Sequence, residues 1–174
     1  MPVIHAKSAL LPDGWSENVT VTVAPDGTIA GLGPAPADIA VDILLPAPAN
    51  VHSHAFQRAM AGLTETRGPT GRDSFWTWRQ LMFRFLDRLT PDDIGAIAAL
   101  VQMEMLESGY GASGEFHYLH HQPGGAPYGD LAETSAAICG AAAMTGIGLT
   151  LLPVLYQQGG AAGRARPRGQ MRVG

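Results

Sequence analysis

His52, Ser53 and His54 directly follow an apolar segment, and in an extended chain side chains two residues apart project from the same face. Two imidazoles so placed can reach one divalent metal ion. The chemistry such an ion supports is hydrolysis, because it lowers the pKa of bound water to about 7 and supplies hydroxide at neutral pH. A catalytic zinc commonly takes three protein ligands and keeps a fourth position open, so the pair needs a further ligand. The other histidines are His5, His117, His120 and His121, and none stands out as that ligand. His117 shares a strand-like run with Glu115; it can face the same end of a barrel or serve as a hydrogen-bonded structural histidine. A separate zinc site from His117, His120 and His121 is a further arrangement their spacing allows. On residue types alone, His52 and His54 also fit as two polar residues at a strand end.

The elements that must position these residues change character along the chain. Residues 1–46 read as a small β unit: Asn18 to Val23 alternates, Pro25-Asp26-Gly27 supplies turn chemistry, Thr28 to Leu32 is the return strand, and Ile43 to Leu45 resumes the pattern before Pro46 and Pro48. Residues 47–158 read as alternating strands and helices. Thr90-Pro91-Asp92-Asp93 has the form of an N-cap with proline at the first helical position, and Ile94, Ile97, Val101 and Met105 recur at helical spacing, predicting a helix over 91–108. A strand over Ala112 to Tyr118 follows, then a helix from Leu131 to Met144, with Asp130 read as its cap, and a nearly continuous apolar strand from Ile147 to Leu155. Strand, helix, strand, helix, strand implies βαβ units and a parallel sheet. His52 and His54 then lie at the C-terminal end of the first strand, the face where (β/α)8 enzymes carry their catalytic groups. A closed barrel takes about 250 residues, and only about three strands are on offer, so the sheet is expected to be open, with an exposed last strand inviting self-association.

Composition narrows the function classes. The chain of 174 residues is 46% hydrophobic and 15% charged, with a net charge of -4, which suits a globular protein acting on small molecules and offers no general attraction to nucleic acid or an anionic membrane. The single Cys139 excludes an intramolecular disulfide. With neither an apolar leader nor a membrane-length stretch, a cytoplasmic location is expected.

Four blocks carry a family resemblance. Asn50-Val51-His52-Ser53-His54-Ala55-Phe56-Gln57-Arg58-Ala59-Met60-Ala61-Gly62-Leu63 resembles the first-strand motif of the N-formimino-L-glutamate deiminases. Asp73 to Arg79, Glu115 to His121, and Gly146 to Tyr156 resemble the same family in the same order, so the likeness covers residues 1–158. It implies a metal-dependent amidohydrolase with a (β/α)8 barrel and a small β domain, hydrolysing a formimino group to a formyl group and ammonia in histidine degradation. It further implies that His52 and His54 are the first two zinc ligands and that Gln57, Arg79 and Tyr118 contact substrate. Arg79 suits this as a planar fork for a glutamate carboxylate, and otherwise reads as an exposed helix arginine. Gln57 and Tyr118 have the right donors and acceptors, and equally fit ordinary structural hydrogen bonds. Phe75, Trp76 and Trp78 read as core or lid packing that holds Arg79.

The resemblance also implies what this sequence does not contain. Later family strands supply a third ligand histidine, a histidine near the reacting carbon, an aspartate, and a glutamate that handles protons, so no catalytic residue is assigned here. We therefore read the chain as the truncated N-terminal portion of a partial (β/α)8 barrel, inactive by itself. Ala47-Pro48 stands where the family usually reads Gly-Met, and Ser113 stands where it usually has valine. Residues 159–174, with Arg164, Arg166, Arg168 and Arg172, read as a loop or disordered tail. The alternatives are a guanine-type amidohydrolase deaminase and a non-catalytic remnant that binds at most a metal or a partner.

Overall fold

A computed structural model describes residues 1–65, 71, 74–158 and 168–173. The chain divides into two compact units, Met1–Ala47 and Pro48–Gly174. Among the described residues no helix is long and apolar enough to cross a membrane.

The first unit is a four-stranded sheet of β1 (Val3–Leu11), β2 (Gly14–Val23), β3 (Ile29–Leu32) and β4 (Ile39–Leu44), in the order β3-β2-β1-β4. β1 and β2 form an antiparallel hairpin closed at Leu11 and Gly14. The turn into β3 uses the expected residues: Asp26 accepts the Thr28 amide at 3.0 Å and its hydroxyl at 2.7 Å, and Gly27 takes φ +84°. β4 begins earlier than its apolar run suggests because it pairs in parallel with β1, Ile39 opposite Ile4. The Asp38 carboxylate starts that pairing by accepting the Val3 amide at 2.9 Å. Ala6, Ala9, Val19 and Val21 form the small buried core.

The second unit is mixed α/β. β5 (Ala49–Ser53) runs into a 3-10 helix (Ala55–Met60); α1 (Phe75–Leu86) and α2 (Pro91–Glu107) lead to β6 (Ala112–His117), and α3 (Glu133–Thr145) leads to β7 (Gly148–Pro153). The three strands form a parallel sheet in the order β5-β6-β7. Two helices, rather than one, thus separate the first pair of strands. α2 starts as its sequence dictates, since Thr90 and Asp93 cap each other's amides and Pro91 occupies the first turn. α3 starts later than expected, with Ala132 rather than Asp130 at the N-cap; the Asp130 carboxylate instead bonds the Ala132 amide at 2.8 Å in the preceding turn. Gly146, at φ +80°, ends α3. Gly148 is required by register, because a Cβ there would lie 3.2 Å from both the Ala112 Cβ and the Gly111 carbonyl oxygen. Buried Met82, Leu86, Leu89, Ile94, Ala98, Leu119 and Ile138 supply the main core.

The tail reading needs revision. Residues 159–167 and Gly174 lie outside the described residues, but Arg168–Val173 form a second 3-10 helix, with Arg172 1% and Val173 3% exposed. The Arg172 guanidinium donates to the carbonyls of His121 and Leu86 and to the Tyr128 hydroxyl. Those carbonyls give an otherwise costly buried charge its partners. The buried Ser113 hydroxyl finds no hydrogen-bond partner among the described residues.

β6 alternates, with Ser113, Glu115 and His117 buried on one side. The Thr134 hydroxyl donates to the Leu119 carbonyl and accepts from His117 Nε2–H at 3.0 Å. Burial lowers the His117 pKa from 6.5 to about 4. The fold thus holds His117 neutral, while the unfolded chain protonates it as pH falls below 6.5. Stability from this residue is fully present above pH 6.5 and declines toward pH 4, by about 3 kcal/mol over that window. His117→Gln, which keeps a donor for Thr134, is expected to flatten the decline by about that amount in urea midpoints compared at neutral pH and near pH 4.

Candidate metal centre

β5 ends in the His-Ser-His run, and the backbone there is held by two side chains. Asn50 Oδ1 accepts the His52 amide at 3.1 Å. Glu115, 3% exposed, accepts the Ala55 amide at 2.7 Å and bonds Ser53. Burial raises the Glu115 pKa, and the bonds from Ser53 and Ala55 oppose that rise. Between these anchors His52 and His54 project together, their ring centroids 4.9 Å apart in a T-shaped pair and their Nε2 atoms 3.2 Å apart.

The His54 tautomer is set by its surroundings. Its Nδ1–H donates to the Phe116 carbonyl on β6 at 3.0 Å, leaving the Nε2 lone pair directed at His52. An imidazole oriented by a carbonyl in this way is the usual support for a metal ligand. The separation fits as well: two nitrogens bound at 2.0–2.1 Å to one tetrahedral ion lie about 3.3 Å apart. The residues present therefore suit two positions of a zinc-like site. Among the described residues no group of three His, Cys, Asp or Glu side chains is placed to hold a metal ion.

His117 and His120 are engaged elsewhere. His117 lies on the opposite face of β6 from Phe116, lining a small space with Ile94 and Ile138 rather than facing His52 and His54. His120 donates its Nε2–H to the Val154 carbonyl at 2.8 Å. His117, His120 and His121 thus form no joint site.

A cavity of about 350 Å³ opens beside the pair, and Gln57, Arg79 and Tyr118 all line it. Gln57 sits on the 3-10 helix that follows His54. Arg79, on α1, places its guanidinium 6.0 Å from the Phe75 ring centroid and 5.1 Å from that of Phe83, positions four residues before and after it on the same helix face. Phe75 and Trp76 are exposed, at 58% and 68%, and so are not core residues; Phe75 and the half-buried Trp78 line the cavity. Tyr118 is 7% exposed, with rings of His54, Phe56, Phe116 and Tyr156 within 6.0 Å. Burial pushes its phenol up to about 12, so it stays a neutral donor at physiological pH. Gln170 and Tyr156 also line the cavity, and neither was singled out from residue types. Glu115 is the other residue missed, since nothing in its sequence neighbourhood marks it as the anchor of the β5 terminus.

Residues 1–42 match the sequence model described as formimidoylglutamate deiminase HutF, N-terminal domain. Over 176 aligned residues the chain is 51% identical to the formimidoylglutamate deiminase of Pseudomonas aeruginosa, covering 99% of this chain and 39% of that protein. A crystal structure of an amidohydrolase from Brucella melitensis matches with a TM-score of 0.89 at 45% identity, covering 99% of this chain and 39% of the other. An atrazine chlorohydrolase from Arthrobacter aurescens, crystallised with zinc, gives a TM-score of 0.68 at 18% identity over 88% of this chain and 35% of its own, a likeness of fold alone. The chain spans about two fifths of the length of the relatives it matches. Over nearly its whole length, this chain is similar in sequence to about two fifths of a formimidoylglutamate deiminase and of a solved amidohydrolase.

Proposed function

We propose that this polypeptide supplies the first two zinc ligands and one wall of the substrate pocket of an enzyme that hydrolyses N-formimino-L-glutamate to N-formyl-L-glutamate and ammonia. The observation that carries the reading is the pair of Nε2 atoms 3.2 Å apart at the edge of a cavity that also holds Arg79. Kinship with the Pseudomonas deiminase supports the substrate, and the zinc of the atrazine chlorohydrolase supports the metal. In this reading the parallel sheet of the second unit is the opening of a (β/α)8 barrel, with His52 and His54 at the C-terminal end of its first strand.

The residues divide the work by charge and position. Arg79 is the one lysine or arginine among the described lining residues, and its fork can hold a substrate carboxylate through paired charge-assisted bonds. The Phe75 and Phe83 rings on either side restrict its swing, which lowers the entropy lost on binding. Tyr118 offers a neutral hydroxyl and Gln57 an amide, both suited to the polar backbone of a glutamate derivative. Zinc held by the His pair supplies Lewis acidity for hydrolysis at neutral pH. Two imidazoles fall one short of the three protein ligands usual for catalytic zinc, and the described residues offer no general base beside them.

Calorimetric titration with zinc is therefore expected to show weak one-to-one binding, lost in both His52→Ala and His54→Ala; binding unchanged in either variant would overturn the assignment. The isolated 174-residue chain is expected to release no ammonia from N-formimino-L-glutamate, and measurable turnover would show that two ligands suffice. In a complete homologous enzyme, replacing the residue equivalent to Arg79 by methionine should raise KM roughly 10- to 100-fold with little change in kcat, the loss of a charged hydrogen bond. A guanine-type activity would be indifferent to that change. The non-catalytic reading is favoured by the absence of a third ligand among the described residues, and tight one-to-one zinc binding would count against it.

A further inference from the structure

We propose that Glu115 is a positioning residue for the metal pair: it holds the chain on both sides of His54 and so leaves that imidazole free to face the ion. The inference rests on reading His52 and His54 as zinc ligands. His54 is the N-cap of the 3-10 helix Ala55–Met60, yet among the described residues its side chain makes no cap bond to that helix. An N-cap residue ordinarily spends its side chain on the first helical amides, which have no partner within the helix. Here the His54 ring is committed to the Phe116 carbonyl and to His52. Glu115 takes over the capping from β6, accepting the Ala55 amide at 2.7 Å.

The same carboxyl group bonds the Ser53 side chain, and Ser53 stands directly opposite Glu115 in the β5–β6 ladder. Glu115 thus grips the residue before His54 and the residue after it, just past the register shift between Asn50 and Ser53. It is 3% exposed and lies on the side of β6 that carries His117, not among the described residues lining the cavity. Its effect on the ion therefore passes through His54. The space on that side, bounded by the described residues Ala55, Phe56, Ile94 and Ile138, is too small for a water molecule to stand in for the carboxyl group.

What the position demands is reach more than charge. The Ala55 amide needs an acceptor, whereas the Ser53 hydroxyl can donate or accept. Glutamine has the length of glutamate; its carbonyl can take the Ala55 amide while its NH2 group donates to Ser53. Aspartate keeps the charge and both acceptor oxygens but is one methylene short. A ligand pair left loose must be ordered when the ion binds, and that ordering lowers affinity.

The test is calorimetric titration with zinc on the full polypeptide as its cells make it, at a temperature where every variant is folded. Glu115→Gln should bind zinc within about threefold of the unaltered protein, while Glu115→Asp and Glu115→Leu should bind it about 10- to 100-fold more weakly, the usual loss when the support of a metal ligand is removed. Thr134→Val removes the buried hydroxyl bonded to His117 and the Leu119 carbonyl; it should lower the melting temperature and leave zinc affinity unchanged. If the leucine variant misfolds, the contrast between glutamine and aspartate decides. Affinity kept in Glu115→Asp, or lost in Glu115→Gln as far as in Glu115→Asp, would overturn the proposal, because charge and not reach would then be acting. A loss in Thr134→Val as large as in Glu115→Leu would overturn it too, reducing the effect to general loosening. If zinc does not bind the unaltered protein, or still binds after loss of both His52 and His54, the metal reading itself falls, and this inference with it.

Discussion

Everything at the candidate site hangs on how the chain leaves β5. A parallel sheet offers each strand evenly spaced bonds, but the β5–β6 register shifts between Asn50 and Ser53. A strand that slips its register loses backbone partners where it ends. Here side chains replace them: Asn50 takes the His52 amide, and the buried Glu115 takes the Ala55 amide. His54 adds its own bond to the Phe116 carbonyl. The Glu115 and His54 bonds tie the strand end to β6, the Asn50 bond shapes β5 itself, and together they decide where the two imidazoles point. Without them the pair would be two exposed polar residues on a loose strand end.

The two sides of β6 serve different ends. Glu115 and His117 face inward, and burial shifts their pKa values in opposite directions, the carboxyl's upward and the imidazole's downward to about 4. Phe116 meets His54 from the other side, and Tyr118 beyond the strand continues that wall. One strand thus stiffens the unit and furnishes the cavity, through the period of two that any strand imposes. The aromatic wall also excludes water from the Tyr118 hydroxyl, keeping it a donor.

Much of this was legible in the residues. The capping box at Thr90, the apolar spacing of α2, the glycine at Gly146 and the shared face of His52 and His54 are local signals, and local signals survive into the fold. α1 was harder: Trp78, Met82, Phe85 and Leu86 keep a helical period, but the exposed Phe75 and Trp76 at its start blur the polar face. Asp130 failed as a cap because its carboxylate found a nearer amide in the turn. The roles of Glu115 and Arg172 depend on partners 44 to 86 residues away, and no spacing rule encodes that. A run of arginines among glycines reads as solvated until something supplies carbonyls to one of them.

The buried guanidinium of Arg172 has a kinetic meaning too. Its partners lie 44, 51 and 86 positions earlier in the chain, so these contacts close large loops, and loop closure over such separations is slow. The cavity wall that carries Val173 is therefore joined to the rest of the unit only through contacts distant in sequence.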